Sequence, residues 1–225
     1  MASAKEIIIK PITSAKAKAV VASHHYSGKS TQNSQIHLGV FLDGVCEGVL
    51  QFGPPIDRRK VLGLVADTLW NEMIELNRMA FSDRLPRNSE SRALAVSMKI
   101  LRKNYPHLKW VISFADGAQC GDGTIYRASG FVLTAIKKNK TMLLMPDGQI
   151  VADKTLNDNP VKTSGWWKKN GAKPLEGFQL RYIYFLKQEM QEKLTVPVVP
   201  FSKIDEIGAG MYKGERIAIE ARRQK

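Results

Sequence analysis

Two apolar runs joined by an Asp-Gly pair limit the fold of this chain more than any other feature of its sequence. The runs cover residues 36–42 and 45–52, and Asp43 and Gly44 lie between them. An Asp-Gly pair between apolar runs is a strong signal for a β-hairpin, because the tight turn needs backbone conformations that these two residues tolerate. The sequence therefore predicts a hairpin, and with it a sheet.

Segments of strand and helix character alternate on both sides of this hairpin. A short strand is predicted at residues 6–11, and a helix at 13–23 with Thr13 or Ser14 as its N-cap. The later predictions are a strand or short helix at 73–81, an amphipathic helix at 89–104, strands at 109–114, 131–136, 141–145 and 182–185, and a short helix at 124–129. This order is typical of an α/β or α+β fold. No GxGxxG or GxxxxGKS motif indicates a Rossmann or P-loop site.

The chain is strongly basic, since 34 Lys and Arg residues stand against 21 Asp and Glu and give a formal net charge of +13 over 225 residues. Such a charge favours polyanionic partners: nucleic acid, an acidic membrane or a phosphate-bearing cofactor. No apolar run is long enough to cross a bilayer, so we expect no membrane partner. Cys46 and Cys120 form no CxxC pair, and we expect reduced thiols in a cytoplasmic protein.

Polar residues that could carry chemistry gather at the ends of three predicted elements. His25 and Tyr26 follow the first helix, and Arg78 precedes the start of the central helix. Asp116 closes a strand that leads through a Gly-rich loop to Tyr126. A strand and loop of this kind can aim a carboxylate and a phenol into one cleft, so we expect an active site here.

These segments resemble the Mom DNA-modification proteins of Mu-like phages, whose fold is related to that of the GNAT family of N-acetyltransferases. The matching stretches are HHYSG, LGVFLDGVCEGVLQFG, ELNRMAF with NSESRAL, and SFADGAQCGDGTIYRASGF, all within residues 20–135. The resemblance implies a GNAT-like mixed sheet flanked by helices. We expect a catalytic domain at 1–160 and a basic extension at 161–225 packed on the same domain.

The resemblance also implies an activity and the residues that perform it. Proteins of this family add a methylcarbamoyl-type group to the N6 amine of adenine in DNA, which protects phage DNA from host restriction. Arg78 and Ser91 match positions associated with cofactor binding or activity. The residues that match catalytic positions are His25, Tyr26, Asp116 and Tyr126.

Elementary chemistry suggests what these side chains could do. The lone pair of the adenine N6 amine is delocalised into the ring, so its attack on a carbonyl carbon requires loss of a proton as the new bond forms. Asp116 or His25 could act as the base, Tyr126 could protonate a leaving group, and backbone N–H groups of residues 73–78 could hold a developing oxyanion. Each side chain also has a structural alternative: a satisfied histidine, a turn aspartate or a core tyrosine.

The start of the helix predicted at 89–104 is the expected site for a cofactor phosphate. Free backbone N–H groups and the helix dipole favour an anion there. The cofactor is expected to be acetyl-CoA or a related acyl-CoA, although ordinary acetyltransferases use a glycine-containing Q/R-x-x-G-x-G/A loop and this segment contains no glycine. A plain capping turn is the alternative. The predicted cofactor-binding residues are Arg78, Arg87, Asn88, Ser89, Ser91 and Arg92.

Iron is a second cofactor that the resemblance raises. Two histidines and a carboxylate suit a non-haem iron site, and His24, His25 and Asp116 offer that set. Adjacent histidines on an extended segment point to opposite sides, however. The sequence therefore leaves the metal open.

Basic segments that contain tryptophan are the predicted DNA contacts. Lys and Arg side chains neutralise phosphates, and a tryptophan can stack on a base or replace it. Because a base inside a duplex cannot reach an active-site cleft, we expect double-stranded DNA with a flipped adenine. The predicted DNA-binding residues are Arg58, Arg59, Lys60, Trp166, Trp167, Lys168 and Lys169, with a further basic segment at 137–140.

Two other functions are compatible with these residues. One is an acetyl-CoA-dependent N-acetyltransferase that acts on a protein or small-molecule amine. The other is a non-catalytic DNA-binding protein that uses the same basic surface. The sequence leaves the oligomeric state open, with a homodimer as one option, and the expected location is the cytoplasm of an infected bacterial host.

Overall fold

The computed structural model describes residues 3–219 and residue 221, and the chain divides into two compact units. The first unit contains Met1–Phe114, Thr124–Thr134 and Arg181–Val199, and the second contains Ala115–Gly123, Ala135–Leu180 and Pro200–Lys225. The two units therefore alternate along the chain. The predicted extension from residue 161 is shared between them, and its residues 220 and 222–225 lie outside the described part.

Ten strands and seven α-helices form within the described residues. The strands are Ile8–Pro11 (β1), Ile36–Leu42 (β2), Val45–Gly53 (β3), Met73–Phe81 (β4), Trp110–Gly117 (β5), Val132–Lys138 (β6), Met142–Leu144 (β7), Ile150–Ala152 (β8), Lys173–Pro174 (β9) and Phe178–Phe185 (β10). The helices are Ser14–His24 (α1), Arg58–Val61 (α2), Ser89–Asn104 (α3), Thr124–Ala128 (α4), Asp153–Asn157 (α5), Ser164–Lys169 (α6) and Ser202–Glu206 (α7).

A seven-stranded sheet has the order β1-β2-β3-β4-β5-β10-β6. The first four strands pair antiparallel, whereas β4 and β5 are parallel. The mixed α/β class predicted from the sequence is confirmed. The position of β10 between β5 and β6 has no local signal in the sequence.

The predicted hairpin is present as β2 and β3. Asp43 and Gly44 both have positive φ angles, 49° and 79°, which is the backbone geometry of a tight two-residue hairpin turn. Pairing of Ile36 with Phe52 places the far ends of the two strands side by side. The turn sets the pairing of Leu42 with Val45 and of Phe41 with Cys46, and a shift between Val40 and Phe41 changes the register for the rest of the hairpin.

The two long predicted helices also form. Thr13 caps α1, because its side-chain oxygen accepts a hydrogen bond from the Lys16 N–H at 3.3 Å. In α3 the buried residues recur at helical spacing, with Leu94, Met98 and Leu101 among them. The amphipathic pattern of the sequence predicts the same bounds, 89–104. The ambiguous segment 73–81 is a strand.

Apolar side chains form separate clusters within the two units. In the first unit, one cluster joins the inner face of α1 to β3 and β4, with Val20, Val49 and Ala80 among its members. In the second unit, β7 lies between β8 and β9 in a small sheet, and Leu143 belongs to its core. The strands β8 and β9 and the helices α5–α7, each of six residues or fewer, were not predicted.

No helix in the described residues has both the length and the apolar character needed to cross a membrane.

The end of β3 accepts only glycine at residue 53. A Cβ atom built there would lie 2.2 Å from the carbonyl oxygen of Asn33 and 2.7 Å from the side-chain oxygen of Asn77. Both distances are far shorter than a van der Waals contact. The segment that precedes β2 therefore packs directly on the backbone of β3.

We expect Gly53→Ala to lower the free energy of unfolding by about 1–3 kcal/mol, because the added methyl group must displace this segment. Urea unfolding monitored by circular dichroism measures the change. Gly165→Ala is the control, since a Cβ atom there meets nothing closer than 3.7 Å and alanine favours the helix α6. Equal stability of Gly53→Ala and the wild type would contradict the packing described.

Candidate active site

The segment of residues 25–35, which follows α1, is hydrogen-bonded to buried polar side chains of β3 and β4. The Ser30 hydroxyl donates to the side-chain oxygen of Gln51 at 2.7 Å, and the Ser34 hydroxyl donates to that of Asn77 at 3.1 Å. Gln51 and Asn77 are buried. Because a buried polar group without a partner is costly, these bonds hold the segment in one conformation.

His25 lies at the end of α1 and is held as a neutral ring. Its Nδ1 accepts a hydrogen bond from the main-chain N–H of Ser27 at 3.1 Å. A main-chain N–H can only donate, so the proton of the neutral ring is on Nε2. Burial, and then the charge of Arg78, lower the pKa of His25 to about 4.

Tyr26 and Arg78 complete the group around this histidine. The Tyr26 ring stacks on His25 with centroids 4.3 Å apart and is 54% exposed. The Arg78 side chain donates through Nε to the carbonyl of Lys29 at 3.0 Å and through Nη1 to the carbonyl of Asn77 at 2.9 Å. The structure thus brings together three residues that the sequence predicted from two separate segments, 25–26 and 78.

A β-bulge lies in β4 next to this group. Gln51 pairs with Arg78, and the next residue of β3, Phe52, pairs with Leu76, so Asn77 is the extra residue of β4. A bulge of this kind leaves one residue out of the ladder and turns the strand locally. The backbone of Asn77 is therefore free of the regular pairing with β3.

Glu75 is a partly buried acid of β4, near Arg78 in sequence, that the sequence analysis did not single out. It lies on β4 at the last pair of the parallel ladder, opposite Ile112 of β5. Burial raises the pKa of its carboxyl to about 7, while the Asn77 amide, the Ile56 N–H and the Arg78 charge act against that rise. The signal available in the sequence was a single acid within the apolar strand MIELNRMAF.

The first turn of α3 has the features expected of an anion site. Asn88 has a positive φ of 70°, and its side chain forms no capping hydrogen bond. The Ser91 hydroxyl donates back to the Asn88 carbonyl at 3.1 Å. Ser89 is 1% exposed, and its hydroxyl is buried without a hydrogen-bond partner. The side-chain capping that would compete with a bound phosphate is therefore absent at Asn88.

The two arginines predicted to assist this turn differ in their surroundings. Arg87 is exposed. Arg92 is also exposed, but its guanidinium donates to the carbonyl of Lys5 at 3.3 Å. Glu90 lies in the same first turn and carries the opposite charge. Arg87 is thus the stronger of the two candidates for contact with an anion.

Tyr126 lies on α4 inside an aromatic cluster of the first unit. Its ring is 8% exposed and packs against Phe131 and Tyr182 at centroid distances of 5.3 and 5.1 Å. The Ser129 hydroxyl, just after α4, donates to the Ser91 carbonyl at 3.5 Å. The helix that carries Tyr126 therefore touches the start of α3.

Asp116 lies in the second unit, where it organises a turn. One carboxylate oxygen accepts from the Ala118 N–H at 3.1 Å and from the Gln179 amide at 2.9 Å. The other accepts from the Gln119 amide at 3.0 Å. These contacts are those expected of an aspartate that stabilises a turn. The catalytic role of Asp116 stays a prediction.

The predicted DNA contacts of the first unit are exposed but partly neutralised. Arg59 and Lys60 both approach the carboxylate of Asp57, at 3.6 and 3.3 Å. Arg58 lies over the ring of Trp70 at 5.5 Å. Part of this positive charge is therefore balanced within α2 and the residues beside it.

The predicted DNA contacts of the second unit lie on α6. Trp167 packs against the small apolar core, whereas Trp166 is 37% exposed. Lys168 forms an ion pair with Asp153 at 3.1 Å, and Lys169 is exposed. Trp166, Lys168 and Lys169 are all exposed, and Lys168 is the one held by an ion pair.

No group of three or more His, Cys, Asp or Glu side chains in the described residues is arranged to hold a metal ion. The set of His24, His25 and Asp116 therefore does not fit an iron ion. Cys120 is no better as a metal ligand or nucleophile, because burial and the charge of Asp116 raise its pKa to about 12.

Comparison with known proteins gives one family match and one curated relative. The family model described as the Mom protein family matches residues 6–203. The protein named methylcarbamoylase mom, from Escherichia phage Mu, is 34% identical over 209 residues, which is 88% of this chain and 85% of that protein.

Solved structures of acetyltransferases are similar at low sequence identity. An IAA acetyltransferase from Bacillus cereus is 10% identical with a TM-score of 0.47, over 80% of this chain and 99% of that one. The ribosomal-protein-S18-alanine N-acetyltransferase from Escherichia coli is also 10% identical with a TM-score of 0.47, over 81% of this chain and 95% of that one.

We expect Glu75→Gln to stabilise the protein above neutral pH. The pKa of the Glu75 carboxyl in the folded state is about 7, whereas the ordinary value for a glutamate is 4.5. Wild-type stability therefore falls as the pH rises between these values, by up to about 3 kcal/mol. Thermal unfolding at pH 8 should show a higher midpoint for the variant, and the gain should shrink towards pH 4.5.

The exposed Glu192 supplies the control for loss of one negative charge. Glu192→Gln should not reproduce this pH-dependent gain. A Glu75→Gln protein that unfolds like the wild type at both pH 5 and pH 8 would show that Glu75 is not a buried acid.

Proposed function

Because the chain belongs to the Mom protein family, we propose that it is a transferase that adds a methylcarbamoyl-type group to the N6 amine of adenine in DNA and so protects phage DNA from host restriction. The observation that carries this proposal is the likeness to the phage Mu methylcarbamoylase over most of both chains. The family match includes every residue considered for the site. The reaction would take place in the cytoplasm of the infected bacterium.

The group around His25 suits a reaction in which charge develops on a carbonyl oxygen. The bulge leaves Asn77 without a partner residue in β3, and N–H groups of residues 73–78 are proposed to hold the oxyanion. His25 can add a further hydrogen bond through its Nε2 proton, because its Nδ1 accepts from the Ser27 N–H. Tyr126 is proposed to protonate the leaving group.

The first turn of α3 is proposed to bind the pyrophosphate of an acyl-CoA. The fit rests on the uncapped first turn, the buried hydroxyl of Ser89 and the exposed guanidinium of Arg87. Ser91 and Arg92 border the same turn. An acyl-CoA thioester would supply an activated carbonyl group. The residues of this chain would position that group and exclude water from it.

Double-stranded DNA with a flipped adenine is the proposed substrate. The exposed ring of Tyr26 offers a stacking surface beside His25 and Arg78. Lys168 and Lys169 of the second unit, together with the Arg58–Lys60 segment of the first, are proposed to contact the DNA backbone, and Trp166 is proposed to stack on a base. An acetyltransferase that acts on free amines has no specific observation in its favour.

We expect modified deoxyadenosine in the DNA of bacteria that express this chain. The DNA is digested to nucleosides and analysed by mass spectrometry. Tyr126→Phe should reduce the yield at least tenfold, because the phenol is lost while the ring packing stays. Tyr105→Phe, at the end of α3, is the matched control.

Unmodified DNA from cells that contain the folded wild-type protein would reject the proposed function. A yield that drops equally in Tyr126→Phe and Tyr105→Phe would reject the role given to Tyr126. A DNA-binding protein without activity predicts binding but no adduct, so this measurement also separates the alternatives.

We expect DNA binding to weaken steeply with salt, since each neutralised phosphate releases counterions. Replacement of Lys168 and Lys169 by alanine should lower the slope of log K against log [salt] by about 2, because two phosphate contacts are lost. Fluorescence anisotropy with a labelled duplex at several salt concentrations measures this slope. The exposed pair Lys99 and Lys103 on α3 provides the control, and an equal effect of both double variants would argue against α6 as a contact.

A further inference from the structure

Phe114 is an exposed aromatic residue in a strand whose other apolar side chains are buried. It lies on β5, which is an interior strand of the large sheet. Trp110 and Ile112 of the same strand are fully buried, whereas Phe114 is 41% exposed. Since burial of an aromatic ring is favourable, a ring left in water at such a place is available to a ligand.

The exposure of Phe114 begins where the parallel ladder between β4 and β5 ends. The last pair of this ladder joins Glu75 to Ile112, and Phe114 is two residues further along β5. Side chains two residues apart lie on the same face of a strand. Phe114 therefore continues the row of Trp110 and Ile112 beyond the apolar cluster that buries those two side chains.

The same face of the sheet carries Arg78 of the candidate site. Gln51 pairs with Arg78, and Gly53, two residues later on β3, pairs with Glu75. Cross-strand partners share a face, so the one-residue bulge returns Arg78 to the face of Glu75. Because Glu75 also shares its face with Phe114, the three side chains lie on one side of the sheet.

The backbone that carries Phe114 is held by β4. The Ser113 hydroxyl donates to the carbonyl of Leu76 at 3.4 Å, just past the last pair of the parallel ladder. Ser113 is buried, so water does not compete for this hydrogen bond. A ring on a fixed backbone loses little conformational freedom when a ligand stacks on it, which favours binding.

A nucleobase is the ligand that such a ring fits. Every base has a π face that stacks on an aromatic side chain, and a flipped adenine has lost the stacking that it had in the duplex. Tyr26 also exposes a ring, but one side of that ring stacks on His25. Phe114 lies instead in the row of β5 side chains, on the face of the sheet that carries Arg78.

We infer that Phe114 is the stacking platform for the flipped adenine. The inference rests on the proposed function, because it assumes that adenine in DNA is the substrate. The N6 amine lies in the plane of the base, so a base stacked on Phe114 presents this amine sideways, away from the ring. Phe114 is thus a substrate-binding residue that takes no part in proton transfer.

The test measures kcat/KM for duplex DNA with the full-length protein and with bacterial extract, freed of nucleic acid, as the source of the donor. Phe114→Leu keeps an apolar side chain and removes the π face, so kcat/KM should fall at least about fivefold. Phe114→Tyr should keep most of the wild-type value, because its ring still stacks. Phe201→Leu is the matched control, since Phe201 is 38% exposed and belongs to the second unit.

Dilution of the extract at saturating DNA separates adenine from the donor as the ligand of Phe114. Stacking of adenine predicts that the dilution that halves the rate is the same for Phe114→Leu and for the wild type. A shift of this dilution with an unchanged kcat/KM for DNA would assign the ring to the donor and overturn the inference.

Three further outcomes overturn it: a wild-type kcat/KM in Phe114→Leu, equal losses in Phe114→Leu and Phe114→Tyr, or equal losses in Phe114→Leu and Phe201→Leu. Circular dichroism verifies that each variant is folded. If Phe114→Leu is not, Phe114→Ile takes its place, because a β-branched side chain favours a strand. Absence of adduct in the wild type, by contrast, is a failure of the proposed function, so the two failures are distinguishable.

Discussion

The pairing of β3 with β4 is the constraint on which the candidate site depends. Its one-residue bulge places Asn77 outside the ladder, and Gln51 lies in the pair just before it. Both amides are buried, so each needs partners from outside the sheet. The hydroxyls of Ser30 and Ser34 donate to the two amide oxygens and thereby fix the segment that starts at His25, while the Asn77 Nδ2 is buried without a partner among the described residues. One irregular pair of strands thus positions residues from three parts of the sequence.

Removal from water acts in opposite directions on the two titratable groups of this site. Burial lowers the pKa of His25 to about 4 and raises that of Glu75 to about 7. Both groups are therefore uncharged more readily than in solution, and Arg78 is the cation that acts on both. The same low polarity would strengthen hydrogen bonds to a developing oxyanion. The electrostatic environment and the backbone geometry thus both favour a reaction in which negative charge develops on a carbonyl oxygen.

The sequence predicted the elements that have strong local signals. Asp43-Gly44 gave the hairpin, Thr13 gave the start of α1, and the apolar spacing of 89–104 gave α3 within its observed bounds. Short elements such as α6 escaped prediction, since a helix of six residues has too few turns to show a period. The structure places His25 and Tyr26 near Arg78, but it puts Tyr126 in an aromatic cluster and Asp116 in a turn, and the site roles stay predictions.

The sequence by itself determined the mixed α/β class, the central hairpin, the two long helices and, through its motifs, the family. Only the tertiary structure decided that β10 lies between β5 and β6, that Arg78 reaches Lys29 from 49 residues away, and that Asn77 is a bulge residue. Local patterns follow the spacing of neighbouring residues, so they can be read along the chain. Burial and pKa depend on which distant segments exclude water from a side chain, and no local pattern contains that information.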